Sequence, residues 1–144
     1  MKFAKILPAV TAALVLSACT SAVAQKEEVK APVAQPTLSE KAVAFQCANK
    51  KAVVVKYKFA DQKATEATVT INKKAVGETF VRDNKAEDPT FVSGKYVLNA
   101  DTPLALDTAT TTDLVNIFHS EKEGDVILAK NCTINKKATA KLNK

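Results

Sequence analysis

The chain has 144 residues, enough for one domain once its two ends are set aside, and carries a formal net charge of +6. That charge is concentrated at the termini: Lys2 and Lys5 lie in the first segment, Lys136, Lys137, Lys141 and Lys144 lie in 133–144, and bases and acids nearly balance over 41–132. The pattern points away from a nucleic-acid-binding domain, which needs a concentrated basic field with stacking aromatics, and three glycines leave no phosphate-cradling Gly-rich loop.

Residues 1–18 read as a signal peptide, with Lys2 and Lys5 before a short apolar run from Ile6 to Leu16 that is too short to span a membrane. Leu16-Ser17-Ala18-Cys19 resembles a bacterial lipobox, so Cys19 is expected to become the acylated first residue of an outer-membrane lipoprotein. The competing site, Ala22-Val23-Ala24, would release a soluble periplasmic or secreted form after Ala24. The following stretch is polar and carries Pro32 and Pro36, so residues 19–40 read as a lipidated N-terminus and flexible tether. A tether of this kind suits an acyl anchor, which holds the chain at a membrane while the domain stays clear of it.

With Cys19 taken by lipid, Cys47 and Cys132 remain, and in an oxidising envelope they are expected to pair; two free thiols or half of a metal site is the alternative. Between them the apolar pattern has period two. Val53, Val55, Tyr57 and Phe59 alternate with Lys56 and Lys58, the mark of a strand with one wet face. Ala42 to Cys47 precedes this run, and similar runs follow at Ala67 to Ile71, Ala75 to Val81, Tyr96 to Asn99, Leu114 to His119 and Val126 to Asn131. Asn72-Lys73-Lys74 reads as a hairpin turn and Glu121 to Gly124 as a second polar turn. Only Leu104 to Thr112 leaves room for a helical turn or two. The fold class this predicts is all-β, with seven or so short strands in an antiparallel sheet curled into a small barrel or sandwich over 41–132, and 133–144 a basic disordered tail.

Catalytic chemistry is sparse. His119 is the one histidine, and Ser120 beside it in a strand points to the opposite face. The expectation is a binding protein, not an enzyme, with no cofactor and no metal. One segment stands out, Phe91 to Tyr96, where Ser93, Gly94, Lys95 and Tyr96 place a hydroxyl, a flexible backbone, a cation and an aromatic within four positions. It reads either as a strand edge with a turn or as a protruding recognition loop.

Phe45-Gln46-Cys47, Val53 to Phe59, the hairpin at Ile71 to Lys74, Gly94 to Leu98 and Ile127 to Cys132 together resemble adhesin complex protein, itself similar to the MliC and PliC inhibitors of c-type lysozyme. The resemblance covers roughly 41–132. It implies an eight-stranded barrel, a disulfide between the terminal cysteines, inhibition of host c-type lysozyme and, in the adhesin branch, binding to the host cell surface. The inhibitors insert a loop of pattern SGxxY into the lysozyme cleft. Ser93-Gly94-Lys95-Tyr96 is one residue shorter, and the second inhibitor motif, an aromatic pair followed by Lys-Gly, is absent. The resemblance thus makes Ser93, Gly94, Lys95 and Tyr96 the expected partner-binding residues, with Lys95 and Ser93 set against the acidic catalytic pair.

Overall fold

The computed structural model describes residues 34–144. They build a closed antiparallel barrel in up-and-down order: β1 (Leu38–Cys47), β2 (Ala52–Ala60), β3 (Lys63–Ile71), β4 (Lys74–Arg82), β5 (Thr90–Ser93), β6 (Tyr96–Ala100), β7 (Leu114–Glu121) and β8 (Gly124–Ile134), followed by a short helix, α1 (Lys136–Leu142). The expected fold class is the one observed. The signal peptide, the Cys19 lipidation site and most of the tether fall on residues 1–33 and lie outside the described residues.

The core follows from the alternation. Val53, Val55, Tyr57 and Phe59 are buried inside the barrel with Phe45, Phe80, Phe91, Leu98, Leu114 and Ile117, while Lys56 and Lys58 between them face water. Each fully buried side chain of this size contributes about 1.5–3 kcal/mol. Tyr57 sits among rings, 6.2 Å from Phe59 and 5.8 Å from Phe91, and burial pushes its phenol well above the ordinary tyrosine range.

Closure is narrow. β1 pairs with β8 at only three positions, Phe45 with Ile134, Gln46 with Thr133 and Cys47 with Cys132, and the last of these pairs is the disulfide. Beyond these pairs α1 covers that edge of β1 at Ala42 and Ala44. Asn143 accepts from the Ala42 N–H (3.1 Å) and donates to the Ala42 carbonyl (2.6 Å), and Thr139 Oγ1 accepts from the Ala44 N–H (3.0 Å). Ala42 and Ala44 are buried for this reason, although no strand lies beyond them. An uncovered edge is a template for unwanted pairing, and here a helix closes it with side chains in place of a strand's backbone.

This corrects the disordered-tail expectation for 133–144, where Thr133 and Ile134 finish β8 and Asn135 caps α1 by accepting from the Ala138 N–H. The tether boundary moves as well. Residues 38–40 belong to β1, and Thr37 exchanges backbone bonds with the Asp61 turn, its carbonyl accepting from the Asp61 N–H while its N–H donates to Asp61 Oδ1. Leu104 to Thr112 forms turns and no helix, because the Thr108 and Thr112 hydroxyls bond the Pro103 carbonyl and so compete with helical pairing. Leu104 and Ala109 from that segment are buried.

Up-and-down topology gives the barrel two distinct ends. The β1–β2, β3–β4, β5–β6 and β7–β8 turns share the hairpin end, while the longer β4–β5 and β6–β7 connections, the β2–β3 turn and the entry of the chain at Thr37 share the loop end.

Candidate functional site

The segment Phe91 to Tyr96 is a strand, a two-residue turn and a strand. β5, not separated from the loop in the sequence reading, pairs with β6 so that Ser93 opposes Tyr96 across the Gly94-Lys95 tip. Gly94 has φ 57 at the first of the two turn positions, where a type II′ hairpin needs a left-handed residue, and a Cβ there would meet nothing within 4 Å. The demand on Gly94 is thus conformational and not steric.

Alternation along β5 turns Phe91 and Ser93 inward and Val92 outward. Ser93 is buried, and its Oγ accepts from the Glu78 N–H at 2.9 Å. That N–H is available because β4 bulges: the β3–β4 register jumps between Ala67/Phe80 and Val69/Val76, and Gly77 sits within the bulge at φ 64. A Cβ on Gly77 would stand 3.0 Å from Ser93 Oγ and 3.2 Å from the Tyr96 ring, so the bulge brings bare backbone against both residues. Ser93 is therefore a brace for the bulge: where the sequence suggested a donor offered to a partner, the structure buries the side chain, turns it inward and has its Oγ accept from the Glu78 N–H.

The outward-facing member is Lys95. Tyr96 is half-buried and stacks on His119, its cross-strand partner on β7, with ring centroids 5.6 Å apart and an interplanar angle of 11°. Glu121 links the two hairpins, with Oε1 3.8 Å from Lys95 Nζ and 3.6 Å from His119 Nε2. Ser120 N–H donates to the Lys95 carbonyl at 2.9 Å, and Ser120 Oγ donates to Asp125 at 2.8 Å. The β5–β6 and β7–β8 tips thus form one braced unit, with Lys95 at its crest. Sequence reasoning placed Lys95 and Tyr96 correctly on the surface hairpin but missed His119 and Glu121, whose proximity depends on the β6–β7 register.

Two wider features surround the tip. The connections are segregated by charge: the hairpin-end turns carry Lys50, Lys51, Lys73, Lys95 and Lys122 against Glu123 alone. At the loop end Asp61, then Asp83, Glu87 and Asp88, then Asp101, Asp107 and Asp113 stand against Lys85 alone. The near-neutral sum over 41–132 conceals this axis. On the outer wall a row of apolar side chains crosses five strands in register, Val81, Val92, Val97, Phe118 and Ile127, with Val81 57% and Ile127 53% exposed.

The described residues thus define a small closed eight-stranded antiparallel barrel, its interior filled by side chains, with a braced cationic hairpin at one end. Residues 41–134 match the family model of the ACP-like domain, and the chain belongs to that family. An uncharacterized protein of Haemophilus influenzae is 38% identical over 148 aligned positions, with 99% of each chain covered.

Proposed function

We propose that this protein is an envelope lipoprotein that binds host c-type lysozyme and blocks it by seating the Gly94-Lys95 hairpin in the active-site cleft. The observation that carries the reading is the braced tip: one exposed lysine held at the crest of a two-residue turn, backed by the Tyr96–His119 stack. Lysozyme cleaves glycan with a protonated glutamic acid and an ionised aspartate, so a cation placed between them occupies the sugar site and pairs with the aspartate. Lys95 is available for that exchange. Its contact with Glu121 is long, at 3.8 Å, and both side chains are about half exposed, a geometry worth at most about 1 kcal/mol. Pre-organisation lowers the entropy cost of docking, and the β5–β6 tip supplies it through its bonds to β7. In this reading the chain performs no chemistry of its own, and acylated Cys19 holds it at the outer membrane.

The test is the clearing of cell-wall suspensions by lysozyme with the purified protein added. Inhibition that Lys95→Ala weakens at least tenfold supports the proposal, and unslowed clearing at tens of micromolar removes it. The mass of the mature N-terminus decides between acylation at Cys19 and cleavage after Ala24.

A second reading, an adhesin binding the host cell surface without a lysozyme target, is favoured by the exposed row from Val81 to Ile127, since apolar bands on a soluble face mark contact surfaces. Soluble protein competing for cell binding, with Val81→Ser/Ile127→Ser losing that competition and lysozyme activity untouched, is its expected outcome.

A further inference from the structure

A groove of about 690 Å³ runs along the outside of the barrel between α1 and the β1–β2–β3 wall, away from the Lys95 tip. Its floor is small and apolar, with Ala44, Ala52, Val54 and Ala138 prominent, and its volume falls in the range of small-molecule sites, about 300–1,000 Å³. It exists because α1 covers the edge of β1 through Thr139 and Asn143.

The polar side chains beside this floor are largely spent on the fold. Asn72 Oδ1 accepts from the Ala52 N–H, and Asn135 Oδ1 accepts from the Ala138 N–H. A sugar, which needs a dense set of hydrogen-bonding partners, finds few here. Apart from the Thr70 hydroxyl, the uncommitted groups are cationic: Lys73 lines the groove, Lys50 and Lys51 lie on the neighbouring turn, which the Asn72–Ala52 bonds tie to that of Lys73, and Lys74 opens β4 beside it. None of these four lysines has an acidic partner within 4.0 Å among the described residues. No acid lines the groove.

An apolar channel with unpaired cations at one mouth is complementary to a molecule with a hydrocarbon chain and one anionic head. We infer that the α1–β1–β3 groove binds a single-chain anionic amphiphile, its chain on the Ala52–Val54–Ala138 floor and its phosphate or carboxylate at Lys73, with Lys50 and Lys51 on the neighbouring turn adding positive charge. The site is separate from the Lys95 hairpin and does not depend on the lysozyme proposal.

The experiment titrates the full mature chain with dodecyl phosphate below its micelle concentration, followed by amide chemical shifts. Dodecyl maltoside, inorganic phosphate and vesicles of mixed phosphatidylglycerol and phosphatidylcholine serve as comparisons. The expected result is saturable binding of dodecyl phosphate with shifts at Val54, Lys73 and Ala138, at least tenfold weaker binding of the neutral amphiphile, and no binding of inorganic phosphate. Lys73→Asn/Lys51→Gln should weaken dodecyl phosphate at least tenfold while leaving dodecyl maltoside and lysozyme inhibition unchanged; asparagine suits the left-handed turn position of Lys73, at φ 67. Val54→Glu should abolish both amphiphiles with the melting temperature kept. Equal binding of the neutral amphiphile, equal binding of inorganic phosphate, or binding to vesicles alone would each overturn the inference.

Discussion

The covered edge of β1 makes a quantitative claim on stability. Thr139 is 4% exposed, and its Oγ1 both accepts the Ala44 N–H at 3.0 Å and donates to the Ala44 carbonyl at 3.3 Å. Thr139→Val keeps the shape and removes the hydroxyl. The Ala44 carbonyl keeps a second donor, the Asn135 N–H at 2.8 Å, but the Ala44 N–H is left buried with no acceptor. An unsatisfied buried donor costs about 1–3 kcal/mol. Asn143→Ala frees both polar groups of Ala42, which lies near the end of α1 where water reaches it more easily, so the loss there is about 1–2 kcal/mol for two bonds. The double variant should lose about 2–5 kcal/mol, a substantial fraction of the 5–15 kcal/mol typical of a domain.

Urea denaturation reads this directly. With a slope of about 2 kcal/mol per molar urea, the middle of the usual range, the midpoint of the double variant should fall by about 1–2.5 M, and the Ala44 amide should exchange with solvent markedly faster than in the parent. If both single variants, and a chain ending at Asn135, unfold within about 0.5 kcal/mol of the parent, the scatter of neutral surface changes, then α1 does not cover the edge in solution.

Other outcomes follow from the same structure. The disulfide joins residues 85 positions apart, so its removal by Cys47→Ala/Cys132→Ala should cost about 4–5 kcal/mol by loop-closure entropy, read as a collapse of the thermal midpoint that reductant reproduces in the parent. Ser93→Ala strips the acceptor from the Glu78 N–H and should destabilise the fold by about 1–2 kcal/mol in denaturant while changing partner affinity less than twofold; a loss of affinity without a loss of stability would return Ser93 to the binding surface. Burial raises the folded-state pKa of Tyr57, so the unfolded chain sheds that proton first: this contribution to stability is whole below pH about 10 and declines above it by up to about 1.4 kcal/mol per unit. In a Tyr96→Phe background, phenolate absorbance from Tyr57 should appear only as the chain unfolds. If the hairpin end docks on lysozyme, itself a basic protein, the association rate should rise with salt as repulsion is screened, whereas docking by the acidic loop end would make it fall.

The barrel was legible because one core strand, β2, alternates strictly and sets the pattern. β2 announces itself through Val53, Val55, Tyr57 and Phe59, and six of the other strands show shorter versions of the same pattern. β5 was not separated because it is four residues long, with Phe91 and Ser93 inward, and a buried serine carries no hydrophobic signal. α1 was missed for a related reason: of its seven residues only Thr139 is buried, so no apolar face marks it. The remaining local cue was Asn135 ahead of a run of helix-tolerant lysine and alanine. The site divided in the same way. Gly94 and Lys95 are a local turn and could be read locally, while the inward turn of Ser93 depends on the β4 bulge and the Tyr96–His119 stack on the register of β6 with β7.

Charge shows most clearly what a linear reading loses. The sum over 41–132 is close to zero, and steering from it would be weak; the topology nevertheless sorts alternate connections to opposite ends, so basic and acidic segments that average out along the chain add up along the barrel axis. Thr37, ahead of β1, is bonded to the Asp61 turn at the end that carries the acidic connections, and the lysine-bearing hairpins lie at the opposite one. A basic partner approaching the hairpin end would be opposed at long range even where an acidic cleft welcomed Lys95 at contact. Affinity under those conditions has to reside in the fit and rigidity of the tip. On the lysozyme proposal, that places the energetic weight on Gly77, whose bare backbone seats Ser93 and Tyr96, as much as on Lys95.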